Sequence, residues 1–275
     1  MMTATKFLAA AVQMLASPDK GANLAEAEAR VREAAARGAR VVALPEVFNW
    51  RGAKEEGRSQ AESIPGPTAD FMARLSRELG IYLLAGSILE KIPASDKAYN
   101  TSLFFDPKGV LLACYRKIHL FDVQIERGVS TMESETRQAG ETIVMAETEL
   151  CPMGLTICYD LRFPELYRAL VAEGAQLIFV PSAFTVLTGE AHWEPLLRAR
   201  AIENQVYIIA PDQMGKNPKS FATYGNSMIV DPWGRVLARA SDFSEVIFAE
   251  IDLVYLAKVR AELPALFHRK AFKVV

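Results

Sequence analysis

Short apolar runs alternate with helix-patterned stretches from the start of the chain, and this alternation restricts the fold more than any other feature. Leu8 to Met14 reads as a buried strand. Asn23 to Arg37 reads as a helix: Leu24, Ala27, Val31 and Ala34 recur at helical spacing, and Gly38 sits where a C-terminal cap belongs. Arg40 to Leu44 is a second strand, closed by Pro45. The next helix carries Phe71, Leu75 and Leu79, with Thr68 as its cap and Gly80 as its end. Ile81 to Ile88 is a third strand. The order βαβαβ calls for a sheet covered by helices.

The middle of the chain adds antiparallel pieces. Asp106-Pro107-Lys108-Gly109 is a turn signal between Tyr99–Phe105 and Val110–Tyr115. Asp231-Pro232-Trp233-Gly234 repeats the device between Ser227–Val230 and Arg235–Ala238. Between these hairpins lie a strand at Gly154–Ile157, a helix from Pro164 to Glu173 and a strand at Gln176–Val180. A helix from Trp193 to Asn204 and a strand at Gln205–Ala210 follow, and Glu245–Ile251 is the last strand. Phe121–Glu141 has weak periodicity and reads as a functional or interface loop. No Ser/Gly run, charge block or composition shift marks a linker, so residues 1–275 read as a single α/β domain.

Composition narrows the function. A chain that is 51% apolar over 275 residues can bury a sizeable core without staples. Its net charge of −2 lacks the basic excess of a nucleic-acid binder. No apolar stretch approaches the ~20 residues that cross a bilayer, and the N-terminal run, interrupted by Gln13, reads as a strand and not a signal. Three cysteines, Cys114, Cys151 and Cys158, are too few and too odd for a disulfide framework and point to a reducing cytoplasm. The sequence holds no HExxH, CxxC pair, phosphate loop or GxGxxG, so no metal and no nucleotide cofactor is expected.

Three reactive residues interrupt apolar strand ends. Glu46 follows the strand in VVALPEVF, at the sheet edge where α/β sites form; an exposed junction glutamate is the alternative. Lys117 follows a strand in LLACYRKIHLF and shares a face with Tyr115 and His119, while Arg116 faces away. A buried lysine there needs a carboxylate partner; an edge lysine guarding against aggregation does not. Cys158 lies between a strand and the helix opened by Pro164, the placement of a nucleophile elbow, although most free cysteines are inert core residues. Taken as a set, the carboxylate is the general base and the ammonium stabilises both the thiolate and, with a backbone N–H, the oxyanion of an acyl transfer.

In that order, ALPEVF, YRKIHLFD and GLTICYDLRFPEL resemble the three signature segments of the nitrilase (carbon–nitrogen hydrolase) superfamily. The resemblance implies a four-layer α-β-β-α sandwich, with subunits pairing as a homodimer or larger homo-oligomer. It implies Glu46 as base, Lys117 as stabiliser of charge, Cys158 as nucleophile and Glu133, in TMESET, as a second glutamate of the site. Around PSAFTVLTGEAHWEP and YGNSMIVDPWGRVLAR the chain is most similar to the Nit1-type branch, the deaminated glutathione amidases. The implied reaction is hydrolysis of deaminated glutathione to 2-oxoglutarate and cysteinylglycine. An omega-amidase acting on 2-oxoglutaramate is the alternative, with a nitrilase or a non-catalytic binding protein behind it. A substrate bearing carboxylates calls for a cation near the nucleophile. Arg162 is the candidate, with a salt bridge to Glu165 or Asp160 as its structural alternative. Tyr159, Phe184 and Thr188 complete the candidate substrate-binding residues.

Overall fold

Along the first half of the chain run β1 (Lys6–Gln13), α1 (Lys20–Ala36), β2 (Val41–Ala43), the single turn α2 (Gly57–Gln60), α3 (Pro67–Leu79), β3 (Tyr82–Leu84), β4 (Ile88–Lys91), β5 (Ala98–Phe105) and β6 (Leu111–Arg116). There follow β7 (Asp122–Gln124), β8 (Ser130–Met132), β9 (Met145–Ala146), β10 (Met153–Leu155), α4 (Pro164–Ala172), β11 (Leu177–Phe179), α5 (Val186–Asn204) and β12 (Tyr207–Ala210). The chain closes with β13 (Met214–Gly215), β14 (Thr223–Tyr224), β15 (Met228–Val230), β16 (Val236–Arg239), β17 (Glu245–Asp252) and α6 (Leu253–Glu262). This computed structural model describes residues 5–126, 129–217 and 219–271, so both ends of the expected 1–275 domain lie outside the described residues.

Two sheets carry the molecule. The first has the order β17-β1-β2-β3-β5-β4, with β6 paired to β5; the second has the order β16-β15-β12-β11-β10-β9. β1, β2 and β3 are parallel, as are β10, β11 and β12. β17 returns antiparallel along the whole of β1, from Lys6 opposite Asp252 to Gln13 opposite Glu245. Alternation along β1 assigns its two faces: Ala9 and Ala11 join the cluster between the sheets, Ala10 and Val12 the cluster under α1 and α3. Phe104 of one sheet meets Phe179 of the other at 5.4 Å between ring centroids. Each such fully buried large side chain contributes about 1.5–3 kcal/mol. Val31, Met72 and Leu75 seal the outside of the first sheet. Leu166, Leu170, Trp193 and Leu197 seal the second, which makes the four α-β-β-α layers that the resemblance implies.

Local chemistry accounts for most boundaries. Asp19 caps α1 by accepting from Ala22 N–H, and Gly80 ends α3 in the left-handed conformation. Thr68 is not a cap: Gly66 holds that position, and Thr68 sits one residue inside the helix with its N–H and hydroxyl both on Glu62. The expected strand Ile81–Ile88 is broken in two at Gly86, where the backbone turns (φ +37°) against the Pro45 carbonyl. α5 starts at Val186 instead of Trp193 and carries Gly189 and Pro195. Packing overrides propensity there, because Gly189 lies flat against the Tyr224 ring. The stretch expected as a loop at Phe121–Glu141 contains the hairpin β7–β8 and a turn at Glu133–Glu135.

Candidate active site

Loops that follow the parallel strands β2, β10 and β11 bring Glu46, Cys158 and Ala183 to one cleft of about 460 Å³. Glu46, Lys117, Glu133 and Cys158 all line it.

Glu46 leaves the end of β2 and is 5% exposed, which removes the surface-glutamate alternative. Val47, with a left-handed backbone (φ +48°), turns the chain away and donates its N–H to Ser87 Oγ at 2.9 Å. Glu46 Oε1 accepts from Lys117 Nζ at 3.0 Å and Asn100 Nδ2 at 2.8 Å. Its Oε2 accepts from Ala183 N–H at 2.9 Å, across from the second sheet. Gln213 Nε2 donates to the Glu46 carbonyl at 3.0 Å. The carboxylate is therefore gripped from both sheets.

Lys117 directly follows β6 and is 2% exposed, so it is no edge guard. Its neighbour Arg116 points to the opposite face and pairs with Glu90, as strand alternation requires. Backbone bonds on both sides fix Lys117: its N–H donates to Asn100 O, and its carbonyl accepts from Gly140 N–H. Glu133 Oε2 accepts from Lys117 Nζ at 2.9 Å and from Phe121 N–H at 2.7 Å. The ammonium thus lies between two carboxylates.

Cys158 is the elbow residue, left-handed at φ +47° and followed by a short turn over Cys158–Arg162 before Pro164 opens α4. A non-glycine residue in this region stores roughly 1–3 kcal/mol, tolerated where the surroundings over-determine it. They do so here. Cys158 N–H donates to Pro181 O, and the buried Asp160 carboxylate accepts from Ile157 N–H, Tyr115 Oη–H and His119 N–H. Asp160 thereby ties the cysteine turn to the strand that delivers Lys117. The turn also leaves Tyr159 N–H without an intrahelical acceptor.

The electrostatics modify one expectation. Burial by itself would lower the Lys117 ammonium, but the charges of Glu133 and Glu46 hold it well above the ordinary lysine range. Burial pushes Glu133 up, and Lys117 with the Phe121 N–H brings it below the ordinary carboxylate range. Lys117 and the Ala183 N–H do favour a thiolate at Cys158, but burial and the nearby Glu46 charge outweigh them and hold the thiol well above its usual range. The environment therefore favours the thiol over the thiolate. Cys114 and Cys151, pushed up to about 11 and about 12 by burial, lie away from the cleft.

Tyr159, Arg162, Phe184 and Thr188 gather around a separate narrow hollow that shares only Phe121, Cys158 and Ala183 with the cleft. Arg162 pairs with neither Glu165 nor Asp160. Its terminal nitrogens lie 3.3 Å from His192 Nδ1, and its guanidinium rests over Tyr159 and Phe184. The Thr188 hydroxyl is 2.7 Å from that of Thr185.

Sequence reasoning missed Asn100, Asp212, Arg51 and Arg137. Asn100 is a polar interruption of an apolar strand, and Asp212 follows the buried strand IIAP as Glu46 follows VVALP, so the same signal marks both. Asp212 is wholly buried; its Oδ1 accepts from Phe184 N–H at 2.9 Å, while Oδ2 has no partner. Burial, reinforced by Glu46, raises its carboxyl well above the ordinary range. Among the described residues no group of three or more His, Cys, Asp or Glu is arranged to hold a metal, and no helix is long and apolar enough to cross a membrane.

Comparison with known proteins agrees with this geometry. The model of the carbon–nitrogen hydrolase family matches residues 8–261. The chain is 44% identical over 259 residues to the omega-amidase NIT2 of Xenopus tropicalis, covering 94% of this chain and 93% of that one. It is 43% identical over 266 residues to the deaminated glutathione amidase of Synechocystis sp., covering 96% and 98%. The crystal structure of the C. elegans NitFhit protein superposes with a TM-score of 0.92 at 40% identity, over 98% of this chain and 66% of that longer one.

Proposed function

The chain belongs to the carbon–nitrogen hydrolase family, and on that footing we propose that it is a thiol amidase whose substrate is deaminated glutathione. Amidase activity itself is supported by relatives of both names at similar identity; they do not separate the two substrates. The observation that carries the finer reading is the size of the cleft. At about 460 Å³ it falls within the roughly 300–1,000 Å³ of sites for drug-sized ligands and is roomy for a small primary amide.

In this reading Cys158 Sγ attacks the amide carbonyl as its proton passes to Glu46. Lys117 and the Tyr159 N–H hold the oxyanion, and Glu133 keeps the ammonium charged and aimed. Glu46 then gives the proton to the departing amine, leaving a thioester on Cys158. Glu46 next takes a proton from water, which attacks the thioester, and returns that proton to the departing Cys158 Sγ as 2-oxoglutarate leaves. Arg162 reads the carboxylate of the 2-oxo acid, against the wall of Tyr159, Phe184 and Thr188.

The second reading, an omega-amidase acting on 2-oxoglutaramate, is favoured by the 44% identity to relatives of that name. Measuring kcat/KM for both amides decides between them. A clear preference for deaminated glutathione supports the first reading, and a clear preference for 2-oxoglutaramate replaces it with the second. One domain, assembled as a homodimer or larger homo-oligomer and working in the cytoplasm without a cofactor, completes the proposal.

A further inference from the structure

Two guanidinium groups in the cleft have no paired carboxylate among the described residues. Arg51 is 5% exposed. It donates only to neutral oxygens: Phe221 O at 3.0 Å, Ser220 Oγ at 3.3 Å and Thr223 Oγ1 at 3.4 Å. The two hydroxyl contacts are long. Among the described residues the Arg137 guanidinium donates one hydrogen bond, to the neighbouring Thr136 carbonyl at 3.0 Å. Gly57 leaves room for it, since a Cβ there would lie 2.7 Å from its terminal nitrogen. Arg200, equally buried, by contrast pairs with Glu203. Among the described residues neither Arg51 nor Arg137 has a carboxylate within 4.0 Å. Both nonetheless line the cleft that contains Cys158. A buried cation without a directly paired carboxylate is costly, and here the more distant charges of Glu46, Asp212 and Glu133 offset part of that cost.

The position of the nucleophile turns this into a statement about ligand. Cys158 stands at the junction of two spaces, the narrow hollow holding Arg162 and the wide cleft holding Arg51 and Arg137. The hollow offers only about 10 Å³, room for one small group, so a substrate whose scissile carbonyl is at Sγ has to place most of its length in the cleft. We propose that Arg51 and Arg137 form a carboxylate-reading subsite for the half of the substrate opposite Arg162, so that the preferred amide carries an anionic group on its acyl half and another on its amine half. This deepens the amidase reading above and rests on it. The subsite distinguishes an amine leaving group ending in a carboxylate, as in a peptide, from ammonia. Burial lowers both guanidinium groups from the ordinary arginine range, against the opposing charges of Glu46 and Asp212 at Arg51 and of Glu133 and Glu46 at Arg137.

The competing role for both arginines is to offset the charges of Glu46, Glu133 and Asp212, and the test separates the two. The probes are 2-oxoglutaryl-glycine and 2-oxoglutaryl-glycinamide, which share an acyl half and differ by one carboxylate on the amine. Wild-type enzyme is expected to favour the carboxylate by about 10- to 100-fold in kcat/KM, the worth of a charged hydrogen bond. Arg51→Gln and Arg137→Gln are expected to bring that ratio toward one, with Arg51→Lys retaining part of it. Arg162→Gln should lower both rates while leaving the ratio. A wild-type ratio near one, which needs no variant to fold, overturns the subsite. A ratio preserved in both glutamine variants also overturns it and assigns the arginines to charge balance. Hydrolysis of neither probe overturns the 2-oxo acid amide reading itself, and the subsite with it.

Discussion

Lys117 Nζ lies 3.0 Å from Glu46 Oε1, although 71 residues separate the two along the chain. The ammonium also lies 2.9 Å from Glu133, so three charges share one buried space. Removing the cation leaves two buried carboxylates facing each other. Lys117→Met is expected to destabilise the fold by about 3–5 kcal/mol in denaturant unfolding and to abolish turnover. Adding Glu133→Gln should restore part of the stability but none of the activity. Simple additivity of the two losses would mean that the charges do not interact.

In the proposed mechanism Glu46 takes the proton of Cys158, whose environment favours the thiol. Glu46→Gln is expected to lower kcat by roughly 10²–10⁴. It also places an amide N–H₂ against donors from Lys117 and Asn100 or from Ala183. Cys158→Ala should remove activity entirely while leaving the melting temperature near that of the wild type. Trapping the thioester on Cys158 by mass spectrometry after rapid quench checks the assignment, and an acyl group found on another residue would refute it.

Asp212 predicts a pH dependence of stability. Its carboxyl keeps a proton in the folded state that the unfolded chain gives up near 3.8, so the folded state binds more protons above that value. Stability therefore falls as pH rises through the window between the ordinary and the raised value, by up to about 1.4 kcal/mol per pH unit. Glu46 opposes its ionisation and Arg51 assists it, but burial dominates. Asp212→Asn keeps the oxygen that accepts from Phe184 N–H and cannot titrate. Thermal melts from about pH 5 to about pH 8 should show the variant gaining on the wild type as pH rises. Parallel curves would show that Asp212 ionises normally.

Gly86 supports Glu46 from behind. A Cβ on it would fall 1.9 Å from the Pro45 carbonyl oxygen, and its φ of +37° disfavours side chains independently. Gly86→Ala is expected to destabilise by roughly 1–3 kcal/mol and to lower kcat by displacing the strand end that carries Glu46. Unchanged activity in a destabilised variant would separate the turn from the site.

The alternation of apolar runs and amphipathic stretches was enough to place most strands, both long hairpins and a covering of helices, because periodicity reports which face each residue buries, while the four-layer order was implied by family resemblance. Thr68 and the start of α5 were misread because the deciding groups, the Glu62 carboxylate and the Tyr224 ring, lie outside the local pattern. Glu46, Lys117 and Cys158 stood out as chemical interruptions at strand ends. Glu133, one acid among several in its loop, was marked only by family resemblance.

The order of secondary structure, the strand-end placement of the base, lysine and thiol, and the family signature were determined by the sequence alone, since each depends on neighbours close along the chain. Tertiary structure alone decided that Lys117 lies between two carboxylates, that burial raises the Cys158 thiol, and that Arg51 and Arg137 have no paired carboxylate among the described residues. Those properties depend on distance and on exclusion of water, and both arise only when loops from two different sheets close over the same edge.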